Sequence, residues 1–264
     1  MRFAKLCMVM LCVLLNTAGV AVADQPNSAD ELLKEGDRRR DKGDLTGAVR
    51  FYSAAIGENH KPKEAYLRRA KLYSFVADNK KAIADFSEVI RLDPSNTEAL
   101  CRRALLLSRQ HEWDKALSDC DAALRISPHS ADAYFARGDV YLGKGDFKRA
   151  TEEYSVSIRL NDKIPAAFLY RAEGFFRLGD NEKALKDVTE AIRLDPQYSG
   201  GYNLRGSIYR AKSELDKAIS DYSEAIWLSP EVFDNYILRA DIWIKKGNPD
   251  KALSDYAEVL CRKR

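Results

Sequence analysis

Very little in this 264-residue chain marks a reactive centre. It holds three histidines, five cysteines and three tryptophans, and no HExxH, CxxC, GxSxG or P-loop glycine cluster. His60, His111 and His129 stand in the stretches between apolar segments, where solvated loop residues are expected rather than bases or ligands. Catalysis, a metal and a cofactor are therefore not expected. An excess of one charge is lacking too. With 43 Lys and Arg against 40 Asp and Glu, the surface offers no field that would gather a polyanion, which argues against a dedicated nucleic-acid binder. Eight prolines and fourteen glycines are too few for a disordered or collagen-like chain, while 45% hydrophobic residues can supply a core.

Long apolar runs are also absent after residue 23. Before it, Arg2 and Lys5 precede an apolar run from Leu6 to Leu15, and small residues follow up to Ala21-Val22-Ala23. That layout predicts a secretory signal peptide over 1–23, cut after Ala23, with 24–28 as a short linker. The alternative is an anchor that is never cut, but Asn16, Thr17 and Gly19 break the run below the roughly 20 residues that span a bilayer. Lipidation at Cys12 would need a small residue just before it, where Leu11 stands. The mature chain is expected to be exported, periplasmic or secreted, without stable membrane insertion. A eukaryotic secretory lumen is the alternative, and the absence of a KDEL-type ending favours bacterial export. Removing the leader leaves the charges balanced and three cysteines, Cys101, Cys120 and Cys261. An odd number leaves at least one thiol free or paired between chains. Cys101 and Cys120 read either as a bridge or as two small apolar fillers, and Cys261 could link two chains.

What is abundant is repetition. Ala48, Ala82, Ala116, Ala150, Ala184, Ala218 and Ala252 recur every 34 residues, dividing 29–264 into seven units that start at 29, 63, 97, 131, 165, 199 and 233. Position 8 of each unit is small, position 4 is large, and position 11 is large in all but the first, where Arg39 stands. The spacing 4, 8, 11 lies on one face of a helix, and positions 20, 24, 27 and 28 form a second stripe. Gly43, Gly145, Gly179 and Gly247 at position 15 mark a left-handed turn, and Pro94, Pro128, Pro196 and Pro230 at position 32 stop the second helix. Each unit is thus a pair of amphipathic helices that only stacking can cover, which predicts an all-α solenoid.

A 34-residue helix-turn-helix with large residues at 4, 11 and 24, small ones at 8, 20 and 27, and proline at 32 resembles the tetratricopeptide repeat (TPR). The resemblance implies a right-handed α-solenoid of seven units with a groove, lined by first helices, that takes protein or peptide ligands. Chaperone-binding members carry a basic clamp for two carboxylates. Leu33, Asp37, Arg68, Glu98 and Arg102 stand at the corresponding places here, and acids there would repel a carboxylate.

Position 7 is arginine in six units (Arg69, Arg103, Arg137, Arg171, Arg205, Arg239), which invites reading as a basic track. Position 23 answers with Asp85, Asp119, Glu153, Asp187, Asp221 and Asp255, sixteen residues on, and both columns lapse together in the first unit. The pattern predicts charge pairs within each repeat that hold the scaffold.

If the family geometry holds, positions 2, 5, 6, 9, 12 and 13 line the groove. Position 5 is an apolar ladder of Leu33, Leu67, Cys101, Phe135, Leu169 and Ile237, interrupted by Asn203, with Arg68, Arg102 and Tyr170 at position 6 and Asp139 and Glu173 among the acids at position 9. The ladder either receives a ligand or packs against the next repeat. In the first case an extended peptide or helix with apolar anchors and basic flanks fits. The expected role is a non-catalytic interaction scaffold, with a regulatory or assembly subunit of a cell-envelope enzyme complex as the alternative. An RNA-reading repeat or an enzyme fits less well. Because the sequence stops within the second helix of the seventh unit, an end-to-end homodimer is a further expectation.

Overall fold

The computed structural model describes residues 28–58 and 62–262. The leader, the linker up to residue 27, and His60 lie outside the described residues. The described residues form fourteen α-helices and no strand. They run in pairs: α1 (Ala29–Asp41) with α2 (Leu45–Gly57), α3 (Pro62–Phe75) with α4 (Asn79–Leu92), α5 (Thr97–Arg109) with α6 (Trp113–Ile126), and α7 (Ala131–Gly143) with α8 (Phe147–Leu160). The series continues with α9 (Pro165–Arg177) and α10 (Asn181–Leu194), α11 (Ser199–Ala211) and α12 (Leu215–Leu228), and α13 (Phe233–Lys245) and α14 (Pro249–Arg262). This is the all-α fold of seven helix-turn-helix units. The described helices gather in two compact units that divide between Val89 and Ile90.

Every turn between paired helices uses the same device. The residue at position 15 has positive φ, whether glycine (Gly43, Gly145, Gly179, Gly247) or not (Ala77, His111, Ser213). The next amide then bonds back five residues, as Asp146 does to Tyr141 O and Glu214 to Tyr209 O, both at 2.9 Å. That closes the end of the first helix. The residue that makes this bond also caps the second helix: Asp44, Asp146 and Asp180 accept from the amides of Gly47, Arg149 and Lys183. At the other end, α4, α6, α10 and α12 stop two residues before Pro94, Pro128, Pro196 and Pro230.

The core lies between the helices of each pair. Ala48, Ala82, Ala116, Ala150, Ala184 and Ala218 have no exposed surface, so the backbones approach closely at position 20. Glycine at position 8 goes with tyrosine at 24. A Cβ added to Gly36 would stand 2.5 Å from Tyr52 Cε1, and one on Gly138 2.8 Å from Tyr154 Cε1. Alanine at position 8 goes with a smaller residue at 24 in two repeats, Ala104 with Cys120 and Ala172 with Val188, whereas Ala70 and Ala240 keep the rings Phe86 and Tyr256. In the first unit Leu32, Leu33, Tyr52 and Leu72 gather in one cluster. In the second, Phe168, Leu169, Val188, Ile192 and Ile208 form another. Full burial of one such side chain contributes about 1.5–3 kcal/mol.

Candidate ligand groove

The two charge columns meet inside each repeat. Arg69 donates from Nε and Nη2 to both carboxylate oxygens of Asp85 at 2.7 and 2.8 Å. The same side-on fork joins Arg103 to Asp119, Arg171 to Asp187, Arg205 to Asp221 and Arg239 to Asp255. The acids are buried, Asp187 only 4% exposed. Position 4 rings lie against the guanidinium, Phe168 at 5.7 Å from Arg171 and Tyr202 at 5.5 Å from Arg205. A third group completes the set. Arg69, Arg171 and Arg239 turn Nη1 to Ser53, Ser155 and Ser223, at position 25 of the preceding repeat. Each serine hydroxyl donates to the carbonyl four residues back, which aims its lone pair at the arginine. The column therefore ties helix to helix and repeat to repeat, and these guanidinium groups have no donor pair turned to a phosphate.

Arg137 departs from the rule. Its partner Glu153 is one methylene longer than aspartate, so Nη2 makes a single bond of 3.0 Å, Nη1 goes to Asp121, and the buried Nε has no partner. Burial pushes the Glu153 carboxyl up.

In the first unit, the predicted groove residue Arg68 is neutralised by its own surroundings, bonding Glu64 at 2.8 Å and pairing with Asp37. Asp37 also takes Arg40 and accepts from the Tyr52 hydroxyl at 2.8 Å. Leu33 and Leu67 are buried, so here position 5 builds the wall and does not offer surface. Phe75, 79% exposed, supplies apolar surface beside Arg68 that the ladder did not include.

In the second unit, Cys101, Arg102, Asp132, Phe135, Ser130 and Ile164 line a cavity of about 430 Å³. Arg102 is held by Glu98 one turn back. Cys101 and Cys120 are free and buried, and burial pushes the Cys101 thiol up to about 12 and Cys120 in the same direction, which suits fillers more than nucleophiles. Cys261 is free and exposed. Beyond Cys101 the ladder divides. Phe135 and Tyr170 are half-buried and their rings lie 5.9 Å apart, each also against Tyr154. Leu169 is 6% exposed and belongs to the core. Asn203, which breaks the ladder, bonds the buried Asn235, so the interruption is a polar pair between neighbouring repeats. Ile237 is exposed.

Asp139 and Glu173 stand half-buried in the same stretch, and burial pushes both carboxyls above the ordinary range. The Ser108 hydroxyl works against that rise at Asp139, and no ion pair engages either acid among the described residues. The cation one turn beyond Glu173 is Arg177, which lies over the Phe147 ring at 5.3 Å. The described residues hold no group of three potential metal ligands, and no helix among them is long and apolar enough to cross a membrane.

Residues 67–131, 101–165 and 169–231 match the family model described as tetratricopeptide repeat. Among solved structures, a tetratricopeptide repeat protein from Parabacteroides merdae is 21% identical with a TM-score of 0.69, over 87% of this chain and 91% of that one. YrrB, described as a TPR protein with an unusual peptide-binding site, is 23% identical with a TM-score of 0.51, over 66% and 89%. MamA from Desulfovibrio magneticus is 19% identical with a TM-score of 0.56, over 65% and 97%. At these identities the likeness is one of fold. No curated protein matches the chain.

Proposed function

Because the chain belongs to the tetratricopeptide-repeat family, whose members mediate protein–protein interactions, we propose that it is an exported, non-catalytic scaffold that holds a protein or peptide segment in the groove of its second unit. The supporting observation is the lining: half-buried Phe135 and Tyr170 with the half-buried carboxylates Asp139 and Glu173, neither of which makes an ion pair. Aromatic rings partly open to water are the groups that anchor a partner, and half-buried acids outside any ion pair favour basic flanks. That YrrB is described as peptide-binding is consistent with this use of the fold. Export rests on the pattern of residues 1–23 and is checked by amino-terminal sequencing of the chain recovered from fractionated cells.

The test is affinity purification of the tagged mature chain with mass spectrometry, repeated with the Phe135→Ala/Tyr170→Ala variant and with Arg171→Ala. The double variant is expected to lose the captured segment while keeping its helical circular dichroism. Arg171→Ala breaks a buried pair, at a cost of about 3–5 kcal/mol, and is expected to lower Tm yet keep capture. Capture that survives the loss of both rings would overturn the groove as the site.

A further inference from the structure

Where a repeat has tyrosine at position 24, its hydroxyl meets position 9 of the same repeat. Tyr52 donates to Asp37 at 2.8 Å, Tyr222 meets Ser207 at 3.0 Å, and Tyr256 donates to Asp241 at 3.0 Å. The fourth repeat breaks the rule. Its Tyr154 ring has no exposed surface and its hydroxyl has no partner, although Asp139 stands at position 9. Of the four buried side-chain polar atoms without a partner among the described residues, three lie here: Arg137 Nε, Tyr154 Oη and Ser157 Oγ. Native interiors pair nearly all such atoms, so a concentration in one repeat calls for a cause.

The surroundings of Tyr154 indicate one. The ionisable groups acting on its hydroxyl are Asp139, Tyr170 and Glu173. Neither acid makes an ion pair: Arg177, whose charge acts on Glu173, lies over Phe147, and Arg109, the cation acting on Asp139, is exposed. Phe135, Tyr154 and Tyr170 form a wall with centroids 5.7 to 6.2 Å apart. Two carboxylates repel an anion, and a neutral apolar group would leave the phenol oxygen unsatisfied. A cation donates to the carboxylates and the phenol oxygen together, and aromatic faces add to its binding.

We propose that Asp139, Glu173 and the Tyr154 hydroxyl, walled by Phe135 and Tyr170, seat a cationic side chain, the ammonium of a lysine or the guanidinium of an arginine, carried by the ligand of the groove. This rests on the groove being the binding site, and it names the anchor that the groove reads.

The test uses the mature full-length chain and three probes, N-acetyl-lysine amide, N-acetyl-arginine amide and N-acetyl-norleucine amide, followed by carbon NMR of the Asp139 and Glu173 carboxyls. The expected result is saturable movement of both signals with at least one cationic amide, at least tenfold weaker with norleucine. The Asp139→Asn/Glu173→Gln variant should weaken that binding at least tenfold with unchanged helicity, and Tyr154→Phe should weaken it several-fold. Equal movement with norleucine, or a non-saturating drift, would overturn the site. If the cationic probes fail while Phe135→Ala/Tyr170→Ala still abolishes capture, only this anchor is wrong. If the probes bind but capture ignores the groove variants, the proposed function is what fails.

Discussion

Position 15 puts the same left-handed turn in seven repeats but glycine in only four. Ala77, His111 and Ser213 adopt φ of 60, 61 and 62°, in a region where a Cβ meets the following carbonyl oxygen at a cost of roughly 1–2 kcal/mol. Replacing each by glycine removes that cost and adds about 0.5–1 kcal/mol of unfolded-state entropy. The net gain is about 0.5–1 kcal/mol per site, or about 2 kcal/mol for the triple variant, since the sites sit in separate turns. At about 2–4 °C per kcal/mol for a chain of this size, Tm should rise by roughly 4–8 °C. The backbone bonds are indifferent to the change, because Ser213 N still donates to Arg210 O. His111 also stacks edge-on with Trp113 at 5.0 Å, so Ala77→Gly and Ser213→Gly carry the test most cleanly. The reverse substitution is the control. A Cβ on Gly145 meets nothing within 4 Å, so Gly145→Ala should cost about 1 kcal/mol through the backbone alone. Differential scanning calorimetry reads all of these, and a lower Tm for Ala77→Gly or Ser213→Gly, or an unchanged one for Gly145→Ala, would show that the left-handed backbone is not strained at these turns.

Two further substitutions test the departures in repeat four. Glu153→Asp lets Arg137 take the side-on fork of its five counterparts and satisfies its buried Nε, so stability should rise by about 1 kcal/mol; a urea midpoint at or below that of the wild type would count against this account. Tyr154→Phe removes a buried hydroxyl that bonds nothing, while Tyr222→Phe removes one that meets Ser207. The first should raise stability or leave it unchanged and the second lower it by about 1 kcal/mol, and equal losses in denaturant melts would show that both hydroxyls are paired.

The period and the two charge columns are legible in the sequence because both repeat at fixed spacing, and a fixed spacing puts residues at one place in every unit. The serine under the arginine was equally available, as Ser53, Ser155 and Ser223 at position 25, and so was the pairing of Gly36, Gly138 and Gly206 at position 8 with tyrosine at 24. Both needed columns compared across repeats instead of along one helix. The groove was less legible for a physical reason. Position 5 alternates between roles according to its neighbours: Leu169 sinks into a cluster with Ile192, while Phe135 stays open because Tyr154 already fills the space behind it. Period alone cannot tell the two apart. Nor could it show that the Tyr154 hydroxyl lacks the position 9 partner that Tyr52, Tyr222 and Tyr256 have.

In a repeat array each unit must overcome its own ordering entropy with its own contacts and those of its neighbours. A repeat that carries three unpaired polar atoms therefore opens at lower cost than one whose forks and hydroxyls are complete. Repeat four is that unit among the described residues. A ligand cation that pairs Tyr154 and neutralises Asp139 and Glu173 adds its stabilisation at the weakest link, where it counts most toward holding the array closed. The invariant positions fix the frame that makes such a defect tolerable, and the departures from them mark where the frame is left to be completed by something else.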